Sequence, residues 1–253
     1  DGGYAMSGVT TSYGAGGRDF LLIKTDNSGN IQWNQTYGGA CEDWGAAMIS
    51  TSDGGYALSG YTTSFGGIAI WLIKIAPEHR TWIVDDDGPA DFHTIQEAIN
   101  AASDGDTVFV RNGQYNQYEI IVNKSLTILG ESRLGTSVYG TVLPNSNFIF
   151  KVVADNVTMS GFTLENNPYG MGGIWCYRMD NLIIKDNLFS NDAVGTYCTS
   201  CSNAFIHNNT FKACRIGLLA EESSNCRIEN NLVENGGDHG IYIHYCGDFT
   251  IEN

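Results

Sequence analysis

The 253-residue chain carries 13 basic and 28 acidic side chains, which gives a formal net charge of −15 and a pI near 4.5. This charge disfavours nucleic acids and anionic membranes as partners. The mean hydropathy is −0.16 and no apolar run approaches the roughly 20 residues of a transmembrane helix, so the composition predicts a globular protein without a membrane-spanning segment in this sequence.

A repeat of about 50 residues fills positions 1–75. Residues 1–8 (DGGYAMSG) return as residues 53–60 (DGGYALSG), and residues 21–24 (LLIK) return as residues 71–74 (WLIK). Four short strands in a period of this length are typical of a propeller blade. Residues 1–75 are therefore interpreted as an incomplete β-propeller-like segment, the end of a larger propeller cut by the boundary of a fragment.

Residues 76–81 break this pattern and are interpreted as a linker to a second domain at 82–253. Thr94 and Glu97 form a capping box before a helix at about 95–102, which has Ile95, Ala98, Ile99 and Ala102 on one face. The second domain also contains a repeat, described below, that predicts a solenoid of stacked coils. Because such a stack leaves its apolar core open at each end, we expect this helix to cap the N-terminal end.

Three consecutive carboxylates, Asp85, Asp86 and Asp87, lie in this region. Calcium binds oxygen ligands of this kind, so the cluster is a candidate calcium site, although its spacing is not that of an EF-hand. The alternative interpretation is that these are turn residues and partners of a helix dipole. Calcium is the one cofactor that the sequence suggests.

A second repeat, with a period near 22 residues, runs through 156–253. Its clearest units open at Asn181, Asn203, Asn225 and Asp248, and each contains a later strand that begins with glycine. Short β-rich runs at this period predict a solenoid of stacked parallel strands. Alternation within the opening strand predicts two inward columns of apolar side chains. They are Val157, Leu182, Ala204, Cys226 and Phe249, and Met159, Ile184, Ile206, Ile228 and Ile251.

Two polar columns are interpreted as structural. Asn187, Asn209 and Asn231 fall at the bend after the opening strand, where stacked amides can satisfy the backbone of the turn. Cys176 and Cys198 share an inward column, and we expect them to be buried thiols of the core and not a disulfide.

The pattern resembles the right-handed parallel β-helix of the pectin-lyase-like superfamily, and in particular the β-helix repeats of carbohydrate-binding and sugar-hydrolase domains. The resemblance rests on the Asn-x-x-Ile-x-Asn-Asn-x-Phe opening at 203–211, the Gly-Ile-Tyr-Ile strand at 240–243 and the helix start at 94–99. It implies an all-β fold: a right-handed solenoid with an N-terminal capping helix, preceded by the propeller-like segment. It also implies an extracellular or cell-surface protein that binds, and possibly processes, a polysaccharide or cell-surface glycan.

The outward side chains of the glycine-led strands form the candidate site. Trp175, Tyr197 and Tyr242 share one column, and flat aromatic rings in register suit the stacking of sugar rings. With Asp192 they are the predicted substrate-binding residues. The predicted catalytic residues are Arg215, Glu221, Asp238, His239 and His244.

Two kinds of chemistry are open to this group: acid/base hydrolysis by a carboxylate pair, and proton transfer beside a uronic acid in a lyase or epimerase. The alternative is a solvated face on which Arg215 and Asp238 form a surface ion pair of little value. The resemblance also implies paired aspartates with Gly-His-Gly and Arg-x-Lys motifs in an enzyme, and only residues 237–240 (GDHG) partly match. Catalysis therefore stays open, and a structural or adhesive surface protein is the alternative function.

Overall fold

The computed structural model describes residues 3–52, 54–140, 148–165 and 172–252. The chain divides into two compact units, Asp1–Glu78 and His79–Asn253, and each has its own hydrophobic core. Within the described ranges, no helix is both long enough and apolar enough to cross a membrane.

The first unit consists of two antiparallel three-stranded sheets. The first sheet contains β1 (Ala5–Thr10), β2 (Asp19–Thr25) and β3 (Ile31–Tyr37); the second contains β4 (Asp43–Ser50), β5 (Tyr56–Thr62) and β6 (Ala69–Ile75). Phe20, Leu22 and Leu58 are fully buried between the sheets. The sheets approach closely because β4 and β5 present glycines: a Cβ at Gly45 would lie 2.8 Å from the Phe20 ring, and one at Gly60 would overlap it.

The second unit is a parallel β-solenoid with one helix, α1 (Ile95–Ala101), in its described part. Its strands form three parallel sheets, and each full coil contributes one strand to each sheet. The eight strands of sheet A are β7 (Thr81–Val84), β8 (Thr107–Val110), β11 (Thr127–Gly130), β14 (Thr158–Ser160), β17 (Ile183–Lys185), β20 (Phe205–His207), β23 (Arg227–Glu229) and β26 (Thr250–Glu252). The six strands of sheet B are β9 (Gly113–Asn116), β12 (Thr136–Tyr139), β15 (Thr163–Glu165), β18 (Leu188–Ser190), β21 (Thr210–Lys212) and β24 (Leu232–Glu234). The six strands of sheet C are β10 (Ile120–Val122), β13 (Phe148–Val152), β16 (Gly172–Tyr177), β19 (Val194–Thr199), β22 (Ile216–Glu221) and β25 (His239–His244).

The predicted inward columns are the interior of sheet A. The columns from Val157 to Cys226 and from Met159 to Ile228 are buried. In the second column each residue pairs with the equivalent residue of the neighbouring coil, and the first column lies just before these strands. Ile251 is in register with the buried Ile228, as the column predicts, and it is exposed because β26 is the last described strand of its sheet. Cys176 and Cys198 are in-register, buried free thiols, as expected.

The glycine that recurs in sheet C makes room for phenylalanines of sheet B. Phe189 and Phe211 stack with their centroids 4.9 Å apart and their planes 14° from parallel. A Cβ at Gly173 would lie 2.8 Å from the Phe189 ring, and one at Gly195 would lie 2.5 Å from the Phe211 ring. Sheet C can therefore close over the phenylalanine column only where these positions lack a side chain.

The asparagine column forms a hydrogen-bonded ladder, which confirms its structural interpretation. The Asn209 Oδ1 atom accepts from the Asn187 backbone N–H (3.1 Å) and from the Asn187 Nδ2 (3.2 Å). The Asn209 Nδ2 donates to the Ile184 carbonyl (2.9 Å), and its backbone N–H donates to the Asn231 Oδ1 (3.0 Å). Asn187 and Asn209 are buried, so this ladder satisfies backbone groups that water cannot reach.

Helix α1 begins where the capping box predicts. The Thr94 hydroxyl oxygen accepts from the Glu97 N–H (3.3 Å), and the hydroxyl donates to the Glu97 carboxylate (2.8 Å). The predicted face of α1 is buried and contacts β7, β8 and β10. The Lys124 Nζ donates to three carbonyls at the C-terminal end, on Ile99, Asn100 and Ala102. This lysine satisfies acceptors that the end of a helix leaves open.

Candidate functional site

The outer face of sheet C carries the side chains that the sequence singles out. Strand pairing places Lys151, Trp175, Tyr197, Leu219 and Tyr242 in one column across β13, β16, β19, β22 and β25. Their chain neighbours Val152, Cys176, Cys198 and Ala220 are buried, because alternate residues of a strand point to opposite faces. The column therefore lies on the outside of the solenoid.

A cleft of about 560 Å³ opens over the first part of this column. Its lining consists of Glu119, Ile121, Phe148, Lys151, Trp175, Tyr177, Tyr197 and Thr199. This volume lies within the range of about 300–1,000 Å³ that is usual for small-molecule sites. Trp175 and Tyr197, two of the predicted substrate-binding residues, are thus brought together in a concave site.

The floor of the cleft is aromatic. Trp175 stacks with Phe148 (centroids 6.1 Å apart, planes 21° from parallel) and with Tyr177 (5.6 Å, 29°). The Lys151 Nζ lies 4.9 Å from the centroid of the Trp175 ring. The site therefore combines flat apolar surfaces with an ammonium group and, at Glu119, a carboxylate.

Glu221, a predicted catalytic residue, is connected to the cleft through Tyr197. The Tyr197 hydroxyl donates a hydrogen bond to the Glu221 carboxylate. Burial raises the pKa of Tyr197, and the carboxylate of Glu221 raises this pKa further. The phenol stays protonated, so Glu221 holds Tyr197 in a fixed orientation in the cleft wall.

The other predicted catalytic residues lie farther along the sheet. The Arg215 Nε and the Asp238 Oδ2 are 3.7 Å apart, and both side chains are exposed. An ion pair of this kind contributes little to stability. His239 and His244 flank Tyr242, with ring centroids 5.0 and 6.1 Å from its own.

The predicted aromatic stripe is therefore divided into two patches. Three strand spacings separate Tyr242 on β25 from Trp175 on β16, or roughly 14 Å at 4.8 Å per spacing. The intervening position of the column is Leu219. Tyr242, His239 and His244 form an exposed group outside the cleft.

Asp192 does not project from this face, contrary to the prediction. It is only 2% exposed, and its carbonyl accepts a hydrogen bond from the Arg215 N–H (3.0 Å). Burial raises the pKa of the Cys214 thiol to about 12, with a further contribution from the charge of Asp192. The structure therefore places Asp192 inside the corner between β18 and β19.

Sequence reasoning missed half of the cleft. Phe148 and Lys151 belong to an early coil whose spacing departs from 22 residues, and Glu119 lies on the edge of the coil before it. These residues could have been found only from the register between strands: β13 pairs with β16, and this pairing places Lys151 beside Trp175.

The three predicted metal ligands lie together at the turn after β7. Ligand atoms of Asp85, Asp86 and Asp87 are within 4.8 Å of one another. Asp85 is buried, pairs with Arg111 (3.4 Å) and accepts from the Gly88 N–H (3.2 Å), and Asp86 accepts from the Gln114 N–H (2.9 Å). These contacts account for the cluster as a structural turn.

Comparison with known proteins gives a family and a fold. A match to the family described as periplasmic copper-binding protein (NosD) covers residues 99–253. No curated protein matches the chain.

Three solved structures illustrate the similarity of fold. The A-module of mannuronan C-5 epimerase AlgE6 from Azotobacter vinelandii has a TM-score of 0.55 and 16% identity, over 63% of this chain and 51% of that one. The catalytic domain of GH87 α-1,3-glucanase in complex with tetrasaccharides has a TM-score of 0.54 and 12% identity, over 94% and 49%. Iota-carrageenase complexed with iota-carrageenan fragments has a TM-score of 0.50 and 16% identity, over 60% and 41%. The chain thus spans about half or less of these solved proteins, and at these identities the similarity concerns the fold alone.

Proposed function

The chain belongs to the family described as periplasmic copper-binding protein (NosD), and we propose that it is an extracellular or periplasmic module that binds polysaccharide in the cleft of sheet C. The observation that carries this proposal is the aromatic floor, in which Trp175 and Tyr177 lie at the surface and the buried Phe148 supports Trp175 from below. The apolar faces of sugar rings stack on such surfaces, and Lys151 and Glu119 at the margin provide polar groups that fix orientation.

Lys151 also supports a preference among glycans. Its ammonium group lies against the Trp175 ring, where it can pair with a carboxylate or sulfate group of a sugar stacked on that ring. In a chain with a net charge of −15, a local cation of this kind is needed before an acidic polysaccharide can bind. We therefore propose acidic polysaccharides as the preferred class.

The proposed function is glycan binding; whether the protein also cleaves or modifies the bound glycan is a separate question for the binding experiment. Arg215 and Asp238 neutralise each other on the surface, and His239 and His244 lie outside the cleft. Glu221 is the predicted catalytic residue that touches a cleft residue, and it is engaged by Tyr197. Release of reducing ends or of an unsaturated product from a bound glycan would add catalysis to the function.

The described residues do not provide a site that fits copper. Copper prefers imidazole and sulfur ligands. In the described ranges, the one group of three possible metal ligands is Asp85, Asp86 and Asp87, which offers oxygen atoms alone. Burial raises the pKa of the Cys176 and Cys226 thiols, and a buried thiol that stays protonated does not bind metal.

Replacing Trp175 with alanine is expected to weaken glycan binding about 10- to 100-fold, as for a buried aromatic anchor at the centre of a site. Tyr242→Ala is the matched control, because Tyr242 lies in the same column outside the cleft. A glycan array with neutral and acidic polysaccharides would identify a ligand, and fluorescence titration would measure its Kd for each variant. An equal loss of affinity in both variants would contradict the cleft as the binding site and would indicate that the whole aromatic column binds the glycan. No binding to any glycan would favour the structural or adhesive alternative.

Calcium at Asp85, Asp86 and Asp87 is a separate proposal. Because Arg111 already neutralises Asp85, we expect weak binding, with a Kd on the order of 10⁻⁴ to 10⁻³ M. Titration calorimetry of the full chain would measure it, with Asp87→Ala as the variant that removes an exposed ligand and leaves the Asp85 ion pair intact. Absence of a binding heat in the unchanged chain would remove the proposal.

We also propose three finer features of the fold: a right-handed solenoid, a capping role for α1, and a β-propeller origin for the first unit. The buried Ile95, Ala98 and Ile99 support the cap, since α1 covers the strands of the first coil. The two similar sheets of the first unit support the propeller origin.

A further inference from the structure

Two buried aspartates begin neighbouring strands of the first unit. Asp19 is the first residue of β2 and Asp43 is the first residue of β4, and the two residues are 1% and 0% exposed. The Asp43 N–H donates to the Arg18 carbonyl (2.6 Å), so the two strand starts lie side by side. Aspartate is almost never fully buried unless a partner compensates its charge, so this pair requires one.

The glycine that follows β3 shows how close the two carboxylates are. A Cβ built on Gly38 would lie 1.6 Å from Oδ1 of Asp19 and 2.9 Å from Oδ2 of Asp43. These two oxygens are therefore no more than about 4.5 Å apart, which is the two distances taken together. Since calcium lies about 2.3–2.6 Å from each of its oxygen ligands, one ion can contact both carboxylates.

Each carboxylate has one oxygen with hydrogen-bond donors and one without. The Ala15 N–H donates to Oδ2 of Asp19 (2.8 Å). The Gly39 N–H (2.8 Å) and the Ser64 hydroxyl (2.8 Å) donate to Oδ2 of Asp43. Oδ1 of both aspartates is buried and accepts no hydrogen bond from the described part of the chain. A buried carboxylate oxygen without a donor is unfavourable, so both Oδ1 atoms indicate a partner that the surrounding residues do not supply.

That partner must carry positive charge. Two carboxylates at this distance and away from solvent repel each other, and a water molecule would not cancel their charge. Arg18, the basic residue next to Asp19, is engaged elsewhere, because it pairs with Glu42 (3.6 Å) and lies over the Trp44 ring (4.3 Å). A metal ion that prefers oxygen ligands meets both requirements, since it accepts electron pairs from the free oxygens and neutralises the pair.

We propose that Asp19 and Asp43 bind a divalent metal ion with a preference for oxygen ligands, calcium or magnesium. Oδ1 of Asp19 and the carboxylate of Asp43 would be its protein side-chain ligands, and such ions complete their shells with carbonyls and water. Because β2 and β4 belong to different sheets, the ion would hold the two sheets of the first unit together. This site is separate from the Asp85–Asp87 group, which lies in the other unit.

The sequence repeat provides a matched variant. It aligns Asp19 with Ala69, the first residue of β6, so Asp19→Ala gives β2 the residue that β6 already has at this position. Asp19→Asn is the second variant: it keeps an acceptor for the turn, and its amide can donate to Asp43 in place of the ion. Asp87→Ala is the control, because it removes a ligand of the other acidic group and leaves this pair unchanged.

Titration calorimetry of the metal-free full chain, with calcium chloride and with magnesium chloride, would count the bound ions. Hydrogen–deuterium exchange would follow the Ala15 and Gly39 amides, which donate to the two carboxylates. The expected result is one binding event that Asp87→Ala retains and that Asp19→Ala and Asp19→Asn both lose. At a free ion concentration of about ten times the Kd, exchange of both amides is expected to slow by about tenfold in the unchanged chain and to stay the same in the two Asp19 variants.

Two outcomes would overturn the proposal. One is that both salts give the same binding isotherms and the same exchange rates in the unchanged chain and in Asp19→Asn, which does not depend on whether Asp19→Ala folds. The other is that protection of the two amides increases as the pH falls and responds to neither salt, because the carboxylates would then share a proton and not a metal ion.

Discussion

Replacing Asn209 with alanine is expected to lower the free energy of unfolding of the solenoid by about 2–6 kcal/mol, because two buried backbone groups then lose their partners at about 1–3 kcal/mol each. These groups are the Asn187 N–H and the Ile184 carbonyl, both of which bond to the Asn209 side chain. Asn209 is almost completely buried, so water cannot replace the lost amide. The Asn231 amide would also lose its side-chain partner.

Urea unfolding would measure the change in the free energy of unfolding. Hydrogen–deuterium exchange would show whether the change lies in the coils around residues 181–212. Asn123→Ala provides the control, because Asn123 belongs to the same unit and is exposed. Exchange protection of the Asn187 amide should fall first, since it is the donor released by the substitution. If Asn209→Ala lowered the free energy of unfolding as little as the control does, the turn would be stable without the ladder.

The sequence predicts the regular coils almost residue by residue, because each repeated position has the same structural role in every coil. Asn203 and Asn208 adopt positive φ angles of 52° and 55°, which asparagine tolerates better than most residues. Asn209 forms the ladder, Phe211 fills the core, and Gly217 leaves space beside that ring. Since each task recurs every coil, the period alone reveals the core columns.

The prediction fails where the chain leaves the extended conformation. Asp192 follows Asn191, whose φ of 58° lies in the corner where the chain turns from β18 to β19. Alternation of side chains holds only within a strand, so it cannot tell whether a residue after such a turn points inward or outward. Asp192 is consequently buried, whereas Trp175 and Tyr197, which lie inside strands, face outward as predicted.

The cleft could be predicted only in part for a related reason. Trp175 and Tyr197 belong to regular coils, and their adjacency follows from the repeat. Lys151 belongs to a coil of different length, so its place beside Trp175 depends on the register between β13 and β16.

Replacing Phe211 with alanine is expected to destabilise the solenoid by about 3–5 kcal/mol, the usual cost of removing a buried phenylalanine. Phe211 is fully buried and stacks on Phe189, and the space that Gly195 leaves is filled by its ring. Phe205→Ala is the control, since Phe205 lies in the same coil on the outer face of β20, where it is partly exposed and stacked on His207. Thermal and urea unfolding of the two variants would compare the losses.

The same substitution tests how the core supports the cleft. Gly195 lies on β19, two residues before Tyr197, so the Phe211 ring sets the position of the strand that carries one wall of the cleft. Below its unfolding transition, Phe211→Ala should therefore weaken glycan binding as well as stability, whereas Phe205→Ala should change neither by much. Binding that remains unchanged in a clearly destabilised Phe211→Ala protein would show that Trp175 and its neighbours on β13 and β16 hold the ligand without β19. Loss of both properties would connect the repeating phenylalanine and glycine columns of the sequence directly to the shape of the binding surface.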